Sequence, residues 1–211
     1  MKALLVKDLY MAAKYCRSHL LIAALFIVIM VMNDGDKMGI FYVVYPCLMC
    51  GMIPVNLLSY DERSGWLKYS AALPYSKLQI VSGKYLIGLI MQGSMLIITG
   101  VAQGIKMSVQ GSFELGSYLL VMVTVLLLSV LSSSMSLPFV FRMGTEKGRT
   151  AYLLAIGAVC GISMASSVVS EKLGRISPNP SLITPLLCLL SVGVYALSWY
   201  LSYLFFRNRE L

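Results

Sequence analysis

The run LGSYLLVMVTVLLLSVLSSSMSLPFVF, residues 115–141, decides the fold. It holds no charged side chain and exceeds the roughly 20 apolar residues that carry a helix across about 30 Å of hydrocarbon. Five further apolar segments lie on either side of it, at 20–32, 38–58, 86–102, 151–169 and 181–206, and none contains an Asp or Glu. All nine carboxylates, Asp8, Asp34, Asp36, Asp61, Glu62, Glu114, Glu146, Glu171 and Glu210, fall between these segments or in the tails, where the chain is expected to meet water. With 58% hydrophobic and 12% charged residues in 211, and a mean hydropathy of +0.80, a water-soluble globule is excluded. The expectation is an all-α polytopic membrane protein: one domain over 1–211 with six transmembrane helices.

The net charge of +8 is a topology signal before it is a partner signal. Thirteen Lys and Arg residues lie in the tails and alternate loops on one side, at 2–17, 63–84, 142–149 and 207–209. Only Lys37, Lys106, Lys172 and Arg175 lie on the other, where acids balance them. Basic residues collect on the cytoplasmic side, so both termini are expected inside, facing an anionic leaflet, with no nucleic-acid partner. The first segment is short enough to resemble a signal-peptide core, but residues 29–33 carry no small-x-small cleavage pattern. It reads as a retained span, lengthened by Ser18 and His19.

Residues 1–17 are too polar to span, yet Leu5, Val6, Leu9, Ala12, Ala13 and Cys16 share one helical face and Lys7 and Lys14 the opposite one. This predicts an interfacial helix lying in the headgroup plane. The segment 59–85 is the longest inner loop, and 60–69, YDERSGWLKY, alternates charge with aromatics. Asp61 and Glu62 suit a helix start, and Pro74 a stop. The pattern predicts a short helix parallel to the membrane with Trp66 and Tyr69 on one face, Leu67 between them, and Glu62 and Lys68 paired at the rim. Those aromatics either dock into a partner's cleft or mark the lipid interface. The second inner loop, 142–149, is a compact basic turn in which Arg142 and Glu146 can touch the same partner.

Small residues suggest where helices approach: Gly157 and Gly161 form GxxxG on span five, Gly100 and Gly104 another on span three, and Ser129, Ser133 and Ser136 a stripe on span four. Ser163, Ser166 and Ser167, set among Met and Val, are candidates for lining a route across the membrane, with helix packing as the alternative. Cys47 and Cys50 match CxxC within an apolar helix, without a second pair or a neighbouring His, which points to packing and not to a metal or redox site. No GxxxxGK[ST] loop is present, and the sole His, His19, lies at an interface, so no catalytic or metal set is expected in the chain.

The layout resembles the membrane subunits of ABC-2 type transporters, short bacterial permeases of about six spans. The resemblance rests on the helix around Lys7-Asp8-Leu9, on Asp61-Glu62-Arg63-Ser64-Gly65-Trp66 followed by Leu73-Pro74 and Gly83-Lys84-Tyr85, and on the turn from Arg142 to Arg149. In size and loop pattern it is most similar to the permeases of phenol-soluble modulin exporters, which extrude amphipathic peptides. The resemblance implies a bacterial cell-membrane location, an elbow helix at 1–17 and a coupling helix within 59–85. It also implies two copies of a separate ABC subunit that bind ATP and Mg, and a second, identical or related, permease that completes a twelve-helix pathway. Two other readings stay open: the substrate-binding membrane component of an energy-coupling-factor importer, and a non-transporting peptide-immunity or sensor protein.

Overall fold

The computed structural model describes residues 2–32, 39–70, 72, 75–111, 113–145, 147, 150, 153–154, 157 and 180–207. Among these, eight helices form the fold: α1 (Lys2–Tyr15), α2 (Arg17–Met32), α3 (Gly39–Gly51), α4 (Ile53–Arg63), α5 (Trp66–Ser70), α6 (Lys77–Val109), α7 (Leu115–Met143) and α8 (Pro180–Arg207). Among the described residues, four stretches are long and apolar enough to cross a membrane: Phe41–Arg63, Lys77–Val109, Leu115–Met143 and Cys188–Arg207. The α1–α2 pair, bent by 68°, supplies a fifth if it is taken as one span. Six crossings were expected; the segment 151–169 lies almost wholly outside the described residues.

α3 occupies the middle, against α2, α6 and α7, while α8 runs along α7 and α6. The bend after α1 falls at Cys16, whose N–H still reaches the Ala12 carbonyl and whose own carbonyl accepts from the Leu20 N–H. α3 and α4 are one span broken at Met52, with Pro54 in the first turn of α4, where a missing N–H leaves no orphan. Gly88 of α6 faces that proline so closely that a Cβ there would stand 2.9 Å from Pro54 Cγ. Gly100 likewise admits α7: Tyr118 Oη–H donates to its carbonyl at 2.9 Å, and an added Cβ would lie 3.1 Å from that oxygen. The glycine pair on span three thus serves packing inside the subunit. The α7 stripe is buried as expected, together with Ser132 and Ser134, and its hydroxyls return to carbonyls of their own helix.

Two buried clusters divide the interior. One gathers Ala12, Ala23, Val43, Cys47, Cys50 and Ile87; the CxxC cysteines belong to it. The other joins the C-terminal ends of α4, α7 and α8 to α5 and the start of α6 through Leu58, Leu67, Ile80, Phe141 and Phe206. Beside it, Tyr85 Oη lies 2.6 Å from Ser198 Oγ and 2.7 Å from Ser202 Oγ, and Trp199 Nε1–H donates to Ser82 at 3.0 Å. α1 and the C-terminal end of α8 therefore share one end of the bundle. At the opposite end the Lys106 ammonium donates to the Met30 carbonyl.

Three expectations need correcting. The face that α1 turns inward is Leu4, Asp8, Ala12 and Cys16, a strict i, i+4 line with a carboxylate in it, while Val6 and Leu9 stand exposed. The loop 59–85 is mostly helix: α4 continues through Arg63, and α6 starts at Lys77 behind a capping box in which Ser76 and Gln79 satisfy each other's backbone N–H. Asp61 and Glu62 consequently sit in the last turn of a helix, where the macrodipole disfavours them, and not at a helix start.

Candidate functional site

The helical period places three charged residues on buried faces. Asp8 follows Leu4 by one turn on α1, Asp61 follows Leu57 on α4, and Lys84 lies between Ile80 and Ile87 on α6. The three faces meet. Lys84 Nζ donates to Asp8 Oδ1 at 2.8 Å and to Asp61 Oδ2 at 2.6 Å. Lys7 Nζ completes the set, 2.8 Å from Asp61 Oδ1 and 3.4 Å from Asp8 Oδ1. Two ammonium groups face two carboxylates, so the formal charges cancel, and the Asp8, Asp61 and Lys84 side chains are each under 5% exposed. Charge cancellation with short, charge-assisted hydrogen bonds is the condition under which buried ions are tolerated. The two lysines also compensate the α4 terminus for its carboxylates. A polar contact between His19 Nε2 and Asn56 Nδ2, 3.3 Å apart, ties α2 to α4 nearby.

Directly outside this knot lies α5. Gly65, at φ +69°, lets the chain turn between α4 and α5 in a conformation that L side chains rarely adopt. Lys7 Nζ sits 3.4 Å above the Trp66 ring, a cation–π contact that draws the indole inward to half-burial. Leu67 points into the core, whereas Arg63, Lys68 and Tyr69 face out, Tyr69 at 64% exposure. Trp66 and Tyr69, expected on one face, differ in exposure, because the first residue of the five-residue helix also packs on Lys7. Glu62, expected at the rim with Lys68, accepts the Thr145 N–H at 3.3 Å.

That bond brings the second turn to the first. Gly144, at φ +88°, lets the chain leave α7 sharply. A cleft of about 380 Å³ opens between Glu62 and Arg63 on one side and Met143, Gly144, Thr145 and Lys147 on the other. Arg142 is exposed, its guanidinium 5.1 Å from the Phe205 ring. Over residues 3–207 the sequence matches the family described as ABC-2 family transporter protein. The chain belongs to this family. No curated protein matches it.

ABC-2 membrane domains are the permease components of ABC transporters; they lack an ATPase site and generally work with an ATP-binding subunit. On this ABC-2 permease the expected coupling residues separate into two layers. Arg63, Tyr69 and Arg142 form an outer layer, and Asp61 and Leu67 an inner one, with Glu62 and Trp66 between. Glu146, Gly161, Ser163, Ser166 and Ser167 lie outside the described residues. Gly157 is exposed, and among the described residues a Cβ built there meets nothing within 4 Å. Sequence reasoning missed Asp8, Lys7 and Lys84 as a group. The signal was present in Leu4-x3-Asp8-x3-Ala12-x3-Cys16, where a carboxylate interrupts a line of apolar and small residues at the helical period.

Proposed function

We propose that this chain is the transmembrane subunit of an ABC exporter, seated in a bacterial cytoplasmic membrane with the α1 end of the bundle inside. The family match across 3–207 carries the reading. The thirteen-to-four distribution of Lys and Arg supports the orientation. The ATP-binding subunit docks on the outer layer of α5 and the 142–147 turn, where Arg63, Lys68 and Tyr69 stand exposed beside the cleft at Thr145. Hydrolysis of ATP, with Mg, takes place in that partner.

Two permeases, identical or related, and two ATP-binding subunits make up the transporter. Gly157, which a Cβ would leave clear of every described residue, belongs to the surface between permeases, together with Gly161. The cargo is an amphipathic peptide or a similarly apolar solute. A route with intermittent hydroxyls at Ser163, Ser166 and Ser167 and no fixed charge suits such a molecule. The test is to co-purify the chain with the ATP-binding subunit encoded beside it and to measure ATP hydrolysis in proteoliposomes while adding a 20-residue amphipathic helical peptide. A stable complex whose hydrolysis rises with the peptide is expected. Failure of the two chains to associate refutes the permease reading, and association without a response to peptide refutes the cargo.

A further inference from the structure

We infer that Lys7, Asp8, Asp61 and Lys84 are positioning residues that form the joint carrying movement of α5 into α6 and α1. The inference rests on the permease reading above, since it concerns how docking at α5 reaches the spans.

Apolar helix faces within a bilayer gain little from one another beyond close packing, and such contacts have no direction. A buried ion pair differs. Sliding α6 against α1 and α4 by one helical turn, about 5.4 Å, would pull Lys84 from both carboxylates and leave buried charge uncompensated. The cluster is therefore stiff where the contacts around it are compliant. It is a poor device for stability alone, because apolar residues of similar volume commonly replace a buried ion pair without loss.

Its location gives it a use. Asp61 lies four residues before Gly65, and Lys7 covers Trp66, the first residue of α5. Force on α5 thus meets Lys7 and Asp61 first, and one side chain further on it reaches the 33-residue α6 through Lys84 and α1 through Asp8. Without the knot, the positive-φ turn at Gly65 would flex and absorb the displacement.

The experiment uses the full chain with its ATP-binding subunit in proteoliposomes. It compares wild type with the variant in which Asp8→Leu, Asp61→Leu and Lys84→Met remove the three buried charges of the joint and leave the quarter-exposed Lys7 to water. Two quantities are read: the dissociation constant between the subunits, and the factor by which the permease changes the ATP-hydrolysis rate of the ATP-binding subunit. The expected result is an unchanged dissociation constant with that factor reduced about fivefold or more, the lower edge of typical coupling between linked sites. An unchanged factor overturns the inference. So does a loss of affinity that accounts for the whole effect, which assigns the cluster to docking. If the triple variant is not monodisperse, Lys7→Met decides, because Lys7 is a quarter exposed and its loss spares the buried pairs. A lowered factor at unchanged affinity supports the joint, and an unchanged factor overturns it. If wild type itself fails to bind an ATP-binding subunit, the permease reading falls instead.

Discussion

Of the two lysines that bridge Asp8 and Asp61, Lys84 is the buried one and makes short contacts to both carboxylates. Lys84→Met keeps the volume and removes the charge, which leaves two buried carboxylates with only Lys7 between them. Breaking a buried pair from one side costs about 3–5 kcal/mol, so a markedly lower unfolding midpoint in detergent is expected, and converting both aspartates to Leu in the same chain should restore much of it. Tyr69 makes a different case. It is exposed with Leu67 anchoring the helix behind it, and Tyr69→Ala is expected to weaken binding of the ATP-binding subunit by about thirtyfold, the loss that goes with about 2 kcal/mol at an interface anchor, while thermal stability stays the same. Isothermal titration against the purified partner measures it. This partition was not visible in the sequence, which put Asp61 at a helix start and Trp66 and Tyr69 on one face. Residue type and spacing show which groups can share a face, but burial of a charge depends on partners 23 and 76 residues away.

At the level of helices, the close approaches are argued by glycine. Gly88→Ala places a methyl group 2.9 Å from the ring of Pro54, which belongs to a backbone that cannot swing aside, so overpacking of about 1–3 kcal/mol is expected. Gly93→Ala, one and a half turns further along α6 with nothing within 4 Å, should be neutral or slightly stabilising through helix propensity. Parallel thermal melts of the two variants check the contrast. The spans α6, α7 and α8 were legible because uninterrupted apolar length is a local property. The ends of α4 and α6 were not read correctly, although one signal was there: Ser76-x-x-Gln79 marks a helix start, and it places Lys77–Tyr85 in α6 where a loop was expected. The turn of Gly65, by contrast, lies between helix-compatible stretches, and the contacts that hold α5 after it, Leu67 in the core and Lys7 over Trp66, are long-range.

For the molecule as a whole, the alternation of helix ends gives a directional prediction. Lys68 lies at the α1 end and Val109 at the far end of α6, both exposed. With the basic side inward, a membrane-impermeant maleimide should label Lys68→Cys only in inside-out vesicles and Val109→Cys only in right-side-out ones. The opposite pattern would reverse the topology. The same arrangement bears on how the chain is made. Residues 7, 8, 61 and 84 come together at one point, and synthesis delivers them in that order. Until Lys84 leaves the ribosome, Asp8 has no buried counter-ion beyond its own neighbour Lys7, and seating α1 against the bundle would strand a carboxylate away from water. α1 is therefore expected to stay at the aqueous surface while α2, α3 and α4 insert. It closes onto them only when the start of α6 arrives, because only then do two ammonium groups cancel two carboxylates at one buried point.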